Sequence, residues 1–352
     1  MFFQSKKLIG LDIGSANIKM AEVENSRKGS TLTNFVIRPT PPRAINGGEI
    51  SDPAAISETI KEMWTQLRTK RKAAAVGLWG TSVITKRISI PRMDEKLVGG
   101  QIRWEAEQYI PFDINEVNID FKVLRNFQPN QETMEVLLVA ARQDVALLYQ
   151  DIVQSSGLQC SVIDVGGFAL ANCFLRNWGA QKGQTIALLN MGAQIANFVV
   201  IENGEIVFCR DIPVGGLTYT SEIHKGMGIS MEEAESMKIS ACTGQAAPEE
   251  VTKIINSSHE VIAEEIQSSI DFFINTTPGL PVQQCFVTGG ASRTIGLINY
   301  LGQHTKLGFQ AFDPFRKVRP SERALSPGYI NEVRDFCSTA LGLGMRAAGD
   351  AT

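Results

Sequence analysis

Short, mostly apolar runs separated by turns of small residues occur at two places along the chain in the same order. In the first, a run at 8–13 is followed by a Gly-Ser-Ala-Asn turn at 14–17 and a second run at 18–23. In the other, a run at 186–191 leads through a Gly-Ala-Gln turn into a run at 195–201. A strand, a tight turn and a second strand are typical of a β-hairpin. Two similar hairpins this far apart predict two related lobes.

Further strand and helix patterns surround the two hairpins. Residues 285–288 predict a strand that runs into a Gly-Gly turn at 289–290, and such a turn lets a ligand lie against the backbone. Asp52 is expected to cap a helix that begins at Pro53, and Pro248 is expected to open a long amphipathic helix. Both helices are expected to pack in the core.

Residues 86–159 predict a separate unit within the first half of the chain. The order strand, helix, strand, strand in so short a span is typical of a small α+β insertion. The predicted fold class is therefore α/β, with two lobes and an inserted α+β subdomain. The predicted divisions are the first lobe core at 1–85 and 160–182, the inserted subdomain at 86–159, the second lobe core at 183–225 and 283–352, and a helical subdomain of the second lobe at 226–282.

Composition and charge exclude several kinds of partner and site. The chain carries 34 basic and 37 acidic residues, mixed along the sequence, for a formal charge of −3, so nucleic acid is not an expected ligand. Its six cysteines include no CxxC pair and are expected to be reduced thiols rather than metal ligands. No apolar stretch approaches the roughly 20 residues that cross a bilayer. We therefore expect a cytoplasmic protein.

The small-residue turns indicate a phosphate ligand. A nucleotide's phosphates need a dense array of backbone N–H groups, which small residues in tight turns supply. Mg²⁺ keeps most of its waters and needs a nearby carboxylate, and Asp12 stands at the end of a strand beside the 14–17 turn. One such turn also fits a purely structural role. Two of them, together with the Gly-Gly turn, favour a nucleotide site.

This arrangement resembles the actin, Hsp70 and sugar-kinase superfamily, in which two lobes with duplicated ribonuclease H-like cores close over ATP. The resemblance implies an actin-like ATPase fold with ATP and Mg²⁺ as cofactors, and Asp12 would hold Mg²⁺ through water. The Ala-Glu-x-x-Lys pattern at 234–238 resembles a helix on the adenosine side, although a solvated helix with an i, i+3 ion pair has the same pattern. The residues that the resemblance places around the nucleotide are Asp12, Gly14, Ser15, Ala16, Asn17, Lys19, Asn190, Gly192, Ala193, Gln194, Glu235, Lys238, Gly289, Gly290 and Ala291.

The insertion resembles that of one family within the superfamily, the type IV pilus assembly protein PilM. The run Ile-Arg-Trp-Glu-Ala-Glu-Gln-Tyr-Ile-Pro-Phe at 102–112 is the most specific part, and matches at 88–91 and 313–315 extend the resemblance over essentially the whole chain. It implies a cytoplasmic scaffold that binds the N-terminal cytoplasmic segment of the inner-membrane protein PilN. Other pilus inner-membrane and motor components would be further partners, and contact with the membrane would be indirect.

An extended PilN segment is expected to dock in a groove between the first lobe and the inserted subdomain. It would add a strand to an edge at 87–90. Trp104 lies about 160° from the apolar stripe of its helix, so it either points outward as an anchor or packs under a neighbouring strand. The residues predicted for this contact are Arg87, Ile88, Ile90, Trp104, Tyr109, Ile110 and Phe112.

Two positions differ from relatives that hydrolyse ATP. Asn190 stands where the second phosphate hairpin usually begins with Asp, and an amide holds Mg²⁺ less well and cannot act as a base. The catalytic Gln or Glu of the first inter-lobe helix corresponds to Asp164 or to Gly166, depending on the register, and Asp164 also fits a helix cap. If the position is Gly166, no acid remains to orient the attacking water. We expect ATP binding with slow or absent hydrolysis.

Two other functions are compatible with the same fold. A small-molecule kinase would need a carboxylate base beside the acceptor hydroxyl, and the sequence offers no convincing one. A division protein resembling FtsA shares the inserted subdomain but usually ends in a basic amphipathic membrane helix, which we do not expect after residue 345 here.

Overall fold

The computed structural model describes residues 7–26, 29–125, 132–277 and 281–349. Its strands are β1 (Ile9–Ile13), β2 (Asn17–Ser26), β3 (Gly29–Pro39), β4 (Ile45–Asn46), β5 (Glu49–Ile50), β6 (Ala73–Leu78), β7 (Val83–Pro91), β8 (Val117–Val123), β9 (Thr133–Arg142), β10 (Gln159–Val165), β11 (Thr185–Met191), β12 (Ala196–Glu202), β13 (Glu205–Ile212), β14 (Gln284–Thr288), β15 (Gly308–Ala311) and β16 (Arg319–Pro320). Its helices are α1 (Pro53–Leu67), α2 (Glu95–Glu107), α3 (Gln143–Ser155), α4 (Gly166–Trp178), α5 (Gly216–Met227), α6 (Met231–Cys242), α7 (Glu249–Thr276), α8 (Leu297–Thr305), α9 (Pro327–Val333) and α10 (Ser338–Gly344).

The first lobe is built on a six-stranded sheet with the order β10-β6-β1-β2-β3-β16. Strand β1 pairs antiparallel with β2 and parallel with β6, so it lies inside the sheet and is buried along its whole length. Ile9, Leu11 and Ile13 share a core with α1 and α3. Gly10 points to the other face, where α10 packs. The first predicted hairpin is therefore the centre of this lobe.

The second lobe repeats this plan in a five-stranded sheet with the order β13-β12-β11-β14-β15. Strand β11 pairs antiparallel with β12 and parallel with β14, as β1 does with β2 and β6. Asp12 and Asn190 are each the last residue but one of their central strand. The turn between β12 and β13 contains Asn203 and Gly204, both at positive φ. The prediction of two related lobes is confirmed.

The inserted unit is a three-stranded sheet with the order β7-β9-β8, covered by α2. Ile88 and Ile90 from β7 pack with Val98 and Ile102 from α2 in a separate core. Helix α3 does not join this core, since it packs against α1 in the core of the first lobe. We therefore propose that the insertion ends near residue 142 rather than at 159.

Helix α7 is the long amphipathic helix predicted after Pro248, and its apolar face is buried. The predicted cap of α1 is also present, because the Asp52 carboxylate accepts a hydrogen bond from Ala55 N at 3.0 Å. In the part of the chain that the structure describes, no helix has the length and apolar character needed to span a bilayer.

Helices α4 and α10 cross between the lobes at glycine contacts. A Cβ atom added at Gly342 would lie 1.8 Å from the carbonyl oxygen of Ala169, and one added at Gly10 would lie 2.0 Å from that of Ala340. These two positions require glycine because the backbones themselves are in contact. Helix α10 therefore packs backbone to backbone against both α4 and β1.

Candidate functional site

A cleft with a volume of about 360 Å³ lies between the two lobes. It is lined by both hairpin turns, the Gly-Gly turn, the first turn of α5 and one face of α6. All the predicted nucleotide residues except Gln194 line it. Gln194 instead accepts a hydrogen bond from Gly48 N of the first lobe at 3.2 Å. The structure therefore brings the residues of the three separate sequence motifs together.

The first turn places a buried ion pair at the wall of the cleft. Gly14 N donates to the carbonyl oxygen of Asn17 at 3.1 Å, which closes the turn. Lys19 Nζ lies 3.0 Å from Asp12 Oδ2, and the two side chains are only 14% and 6% exposed. Buried charges need partners, and Lys19 supplies one for Asp12. The turn can present an ammonium group to an anion and a carboxylate to a hydrated cation.

The second turn is held by the N-terminus of α5. Gly192 N donates to the carbonyl oxygen of Ile195 at 3.1 Å. Gly216 N and Leu217 N donate to the carbonyl oxygens of Gly192 and Ala193 at 3.0 and 2.7 Å. The first free N–H groups of a helix are thus used to fix the turn. Three main-chain hydrogen bonds therefore hold the turn in place.

Asn190 is oriented by a chain of hydrogen bonds that ends in the other lobe. Its Nδ2 donates to Asn197 Oδ1 at 2.9 Å, and Asn197 Nδ2 donates to Asp211 Oδ1 at 2.6 Å. The second oxygen of Asp211 accepts from Gly80 N at 2.6 Å. Burial raises the pKa of Asp211 above its usual value, although both hydrogen bonds oppose the rise. Because Asn190 Nδ2 is a donor here, its Oδ1 is left to face the Gly289 turn.

Sequence reasoning missed Asp211, although one signal was available. It is an acidic residue next to the apolar end of β13, where Ile212 is buried and Cys209 is nearly so. A carboxylate in such a position usually needs specific partners.

At the other end of the cleft, Lys238 orients Glu235. Its Nζ donates to the carbonyl oxygen of Gly216 at 3.0 Å, to Thr220 Oγ1 at 2.9 Å and to Glu235 Oε2 at 2.7 Å. All three N–H groups of the ammonium are therefore used within the protein. Lys238 is 9% exposed, so the pair is not an ordinary solvated helix pair. Oε1 of Glu235 receives no hydrogen bond from the residues that the structure describes and can accept one from a ligand hydroxyl.

The Gly-Gly turn packs against an aromatic side chain, Phe336, that no sequence pattern indicated. A Cβ atom added at Gly290 would lie 2.5 Å from the Phe336 ring. Packing against Phe336 therefore requires glycine at this position, whether or not a ligand binds. Arg293 lies over the same ring at 4.8 Å and pairs with Asp335 at 2.6 Å. Phe336 and Arg293 both line the cleft. Together they form a flat wall beside the turn.

Asp164, the candidate catalytic acid, is not among the residues that line the cleft. Its Oδ2 accepts from Arg346 Nη1 at 2.8 Å and its Oδ1 accepts from Val165 N at 2.8 Å. Burial raises the pKa of Asp164, and the Arg346 guanidinium offsets part of that rise. It does not cap α4 either, because the cap residue is Val165 and makes no side-chain cap bond. Asp164 is a buried partner of Arg346.

The alternative catalytic position, Gly166, is covered by a tryptophan. A Cβ atom added there would lie 2.3 Å from the Trp79 ring. Trp79 follows β6 and lines the cleft. Within the described structure, the position that the second register assigns to the catalytic residue is thus occupied by glycine and covered by Trp79.

The residues predicted for partner binding separate into two groups. Trp104 is 76% exposed, which agrees with the outward orientation. Ile88, Ile90 and Ile110 lie in the insertion's own core. Because they are buried there, they cannot form a contact surface unless the insertion opens.

The polar and aromatic members of that prediction are also engaged. Arg87 pairs with Glu135 at 2.8 Å and lies 3.8 Å from Glu202 of the second lobe. Tyr109 lies under Lys86 at 4.6 Å, and Phe112 lies 5.8 Å from the Arg142 guanidinium. The edge of β7 faces the second lobe, where Thr85 Oγ1 donates to the carbonyl oxygen of Cys209 at 2.6 Å.

A second groove, of about 370 Å³, lies between the insertion and the body of the molecule. Strand β8, at the other edge of the inserted sheet, forms one side. The groove is lined by Phe121, Lys122, Leu137, Val139, Phe168, Asn172, Ile206, Gly342, Met345 and Arg346. The sequence predicted a partner groove at the 87–90 edge, whereas this groove lies beside the opposite edge strand and none of the predicted partner residues lines it.

Comparison with known proteins agrees with this architecture. The family model described as type IV pilus assembly protein PilM matches residues 10–348. A solved structure of a PilM-PilN type IV pilus biogenesis complex is similar, with a TM-score of 0.86 and 26% identity over 98% of this chain and 99% of that chain.

Two more distant structures share the fold alone. The ethanolamine utilization protein EutJ from Carboxydothermus hydrogenoformans has a TM-score of 0.58 and 14% identity, over 96% of this chain and 89% of that chain. MreB5 of Spiroplasma citri, bound to ADP, has a TM-score of 0.50 and 13% identity, over 88% and 93% of the two chains. These matches confirm the predicted actin-like fold.

Proposed function

Because the chain belongs to the type IV pilus assembly protein PilM family, we propose that it is an ATP-binding scaffold that captures the N-terminal tail of a PilN protein. It would act in the cytoplasm, peripheral to the inner membrane through this partner. PilN and other pilus components would be its protein partners. The observation that carries the proposal is the groove beside β8, in a chain that matches a PilM-PilN complex over 98% of its length.

The groove has the chemistry that an extended apolar peptide needs. Leu137, Val139 and Ile206 supply an apolar floor, while Lys122 and Arg346 supply positive charge. Strand β8 is an edge strand of the inserted sheet, so an added strand can bond to its outer main-chain groups. Alternate side chains of such a peptide would point into the groove.

Binding of a fluorescent PilN-tail peptide tests this proposal. Val139→Asp and Ile206→Asp place a charge in the apolar floor and should each weaken the peptide by at least about 1 kcal/mol. Trp104→Ala is the matched control, since Trp104 is exposed and is not among the residues that line the groove. Fluorescence anisotropy gives the affinities, and circular dichroism checks the fold.

The results separate the two candidate surfaces. Loss of binding in both groove variants with normal binding in Trp104→Ala supports the groove. The reverse pattern would move the contact to the exposed face of α2. A folded wild-type protein that binds no PilN tail would contradict the proposal.

The inter-lobe cleft supports ATP and Mg²⁺ as the ligands. Lys19 and the two turns would contact phosphate oxygens, Asp12 would hold a hydrated Mg²⁺, and Glu235 would accept from a ribose hydroxyl. Mg²⁺ would neutralise phosphate charge. These residues would orient the nucleotide, and the glycine at position 166 in place of an acid favours slow hydrolysis.

Asn190→Asp is not a clean test of the slow hydrolysis. The Asn190 amide donates to Asn197 Oδ1, and Asn197 cannot turn over without losing its bond to Asp211. A carboxylate at 190 would therefore face a carbonyl oxygen. A phosphate-release assay on the wild type is the better measurement, and turnover well below about 1 s⁻¹ is expected.

A further inference from the structure

Two hydrogen-bond donors that line the cleft have no partner among the residues that the structure describes. The Trp79 indole Nε1 is buried and makes no hydrogen bond to the residues that the structure describes. Tyr149 is 4% exposed and lines the cleft, and its hydroxyl likewise has no bond within the described ranges. Buried donors are nearly always paired, so the Trp79 indole calls for an acceptor, whereas the Tyr149 hydroxyl is not fully enclosed and can donate to a ligand in the cleft.

Both side chains line the cleft beside the first phosphate-type turn and Gly166 is next to one of them. Trp79 covers Gly166 at the start of α4, with three ring atoms within 2.4 Å of the position of an added Cβ. This is the place where hydrolysing relatives were expected to carry their water-orienting group.

Two carboxylates act electrostatically on Tyr149, and one of them, Asp12, lines the cleft with it. The charges of Asp12 and Asp211, together with burial, raise the pKa of its hydroxyl. The phenol therefore keeps its proton and remains a neutral donor. The charged groups that face it are thus both acidic, and an anion could approach only with Lys19 or a cation beside Asp12.

We propose that Trp79 and Tyr149 recognise the terminal phosphate of the bound nucleotide, so that the cleft distinguishes a triphosphate from a diphosphate without cleaving it. This inference rests on the proposed binding of ATP in the cleft. An indole N–H and a protonated phenol donate hydrogen bonds but do not take a proton from water. The two side chains would therefore distinguish ATP from ADP without hydrolysing ATP.

Conservative variants remove the two donors one at a time. Tyr149→Phe loses one oxygen atom, and Trp79→Phe loses the indole N–H while keeping an aromatic ring. Calorimetry with Mg²⁺ and either a non-hydrolysable ATP analogue or ADP gives the two affinities. Each variant should bind the triphosphate analogue about tenfold more weakly, as expected for one hydrogen bond to a charged acceptor, and bind ADP within about twofold of the wild type.

Matched controls lie elsewhere in the chain. Tyr219→Phe removes a buried hydroxyl that bonds to His259 in the second lobe, and Trp178→Phe removes another buried indole N–H without a partner in the described structure. Neither residue lines the cleft. Both controls should leave the ratio of the two affinities unchanged.

The outcomes are distinct. Equal weakening of both nucleotides in the variants, or no weakening, overturns the assignment of Trp79 and Tyr149. A wild-type protein that binds neither nucleotide overturns the proposed function itself. If Trp79→Phe does not fold, intrinsic fluorescence of the wild type replaces it, because the triphosphate analogue but not ADP should change the tryptophan emission, and Trp178→Phe should retain that change.

Discussion

Three buried charged side chains in this molecule each have an identifiable partner, and the location of the pair indicates what the residue can do. Asp12 pairs with Lys19 in the cleft, Lys238 orients Glu235, and Asp164 pairs with Arg346 outside the cleft. A buried ion whose partner is removed is destabilising, because its desolvation is no longer compensated.

The Asp164 pair gives the first prediction. Asp164→Ala should lower the free energy of unfolding by about 3 kcal/mol, since it leaves the nearly buried Arg346 without this carboxylate. ATP affinity should stay within about twofold of the wild type. Urea unfolding and calorimetry measure the two effects. Unchanged stability together with altered ATP turnover would return Asp164 to the list of catalytic candidates.

His259 gives a prediction about pH. Its Nε2–H donates to the carbonyl oxygen of Ile295 at 3.0 Å, so Nδ1 accepts from the Tyr219 hydroxyl at 2.7 Å. Burial lowers the pKa of His259 below its ordinary value of 6.5. As the pH falls below 6.5, the unfolded chain takes up a proton before the folded chain does, so the free energy of unfolding falls.

Urea unfolding at about pH 7.5, 6.5 and 5.5 measures this loss. His259→Gln keeps a neutral polar side chain and should lose less stability over the same pH range. A wild-type and a variant protein with parallel pH dependence would show that His259 is not responsible.

At the scale of elements, the position of two glycines decides how helices pack. Gly342→Ala would drive a methyl group into the backbone of α4, because the Cβ atom would lie 1.8 Å from Ala169 O. We expect a loss of about 3 kcal/mol or more. Gly100→Ala in the exposed middle of α2 meets no atom within 4 Å and should stabilise by about 0.5–1 kcal/mol. Thermal unfolding of both variants measures the two changes in stability. Equal changes would contradict the close contact of α10 with α4.

Much of the fold could be predicted because hairpins and amphipathic helices are local patterns. The strands of both central hairpins, the Asp52 cap and the helix after Pro248 all follow from neighbouring residues. Packing partners do not. The apolar pattern of α3 is the same whether the helix packs on the insertion or on α1. The sequence therefore could not decide between the two, and the structure places α3 against α1.

The same limit applies to the candidate site. Its glycine turns have a sequence signature, and the structure brings them together. Trp79, Tyr149 and Phe336 have none, because each is defined by contacts with residues far away in the chain, and Asp211 has only its position beside the buried end of β13. In the insertion, a run of large apolar residues indicated a contact surface, yet most of them form the subdomain's core.

At the scale of the whole molecule, polar contacts tie the two lobes together around the cleft. Asp211 accepts from Gly80 N, Gln194 accepts from Gly48 N, and Thr85 donates to Cys209 O. Asp211 also orients Asn190 through Asn197. The contact between the lobes at Gly80 and the orientation of Asn190 before the 192–194 turn are therefore linked.

Asp211→Ala should break this link. The amide of Gly80 loses its acceptor, so hydrogen exchange in the segment that contains residues 79–85 should become faster, and ATP affinity should fall by about tenfold. Asp151→Ala, at an exposed position of α3, is the control. Unchanged exchange in the Asp211 variant would show that this contact does not restrain the lobes.

The measurement that tests the central claim most directly is a calorimetric titration of the wild-type protein with ATP and Mg²⁺, with phosphate release followed in the same sample. We predict saturable binding at one site, weakened about tenfold or more by Asp12→Ala, with turnover far below about 1 s⁻¹. Absence of binding heat, equal affinity in the Asp12 variant, or turnover of about 1 s⁻¹ or faster would contradict an ATP-binding scaffold.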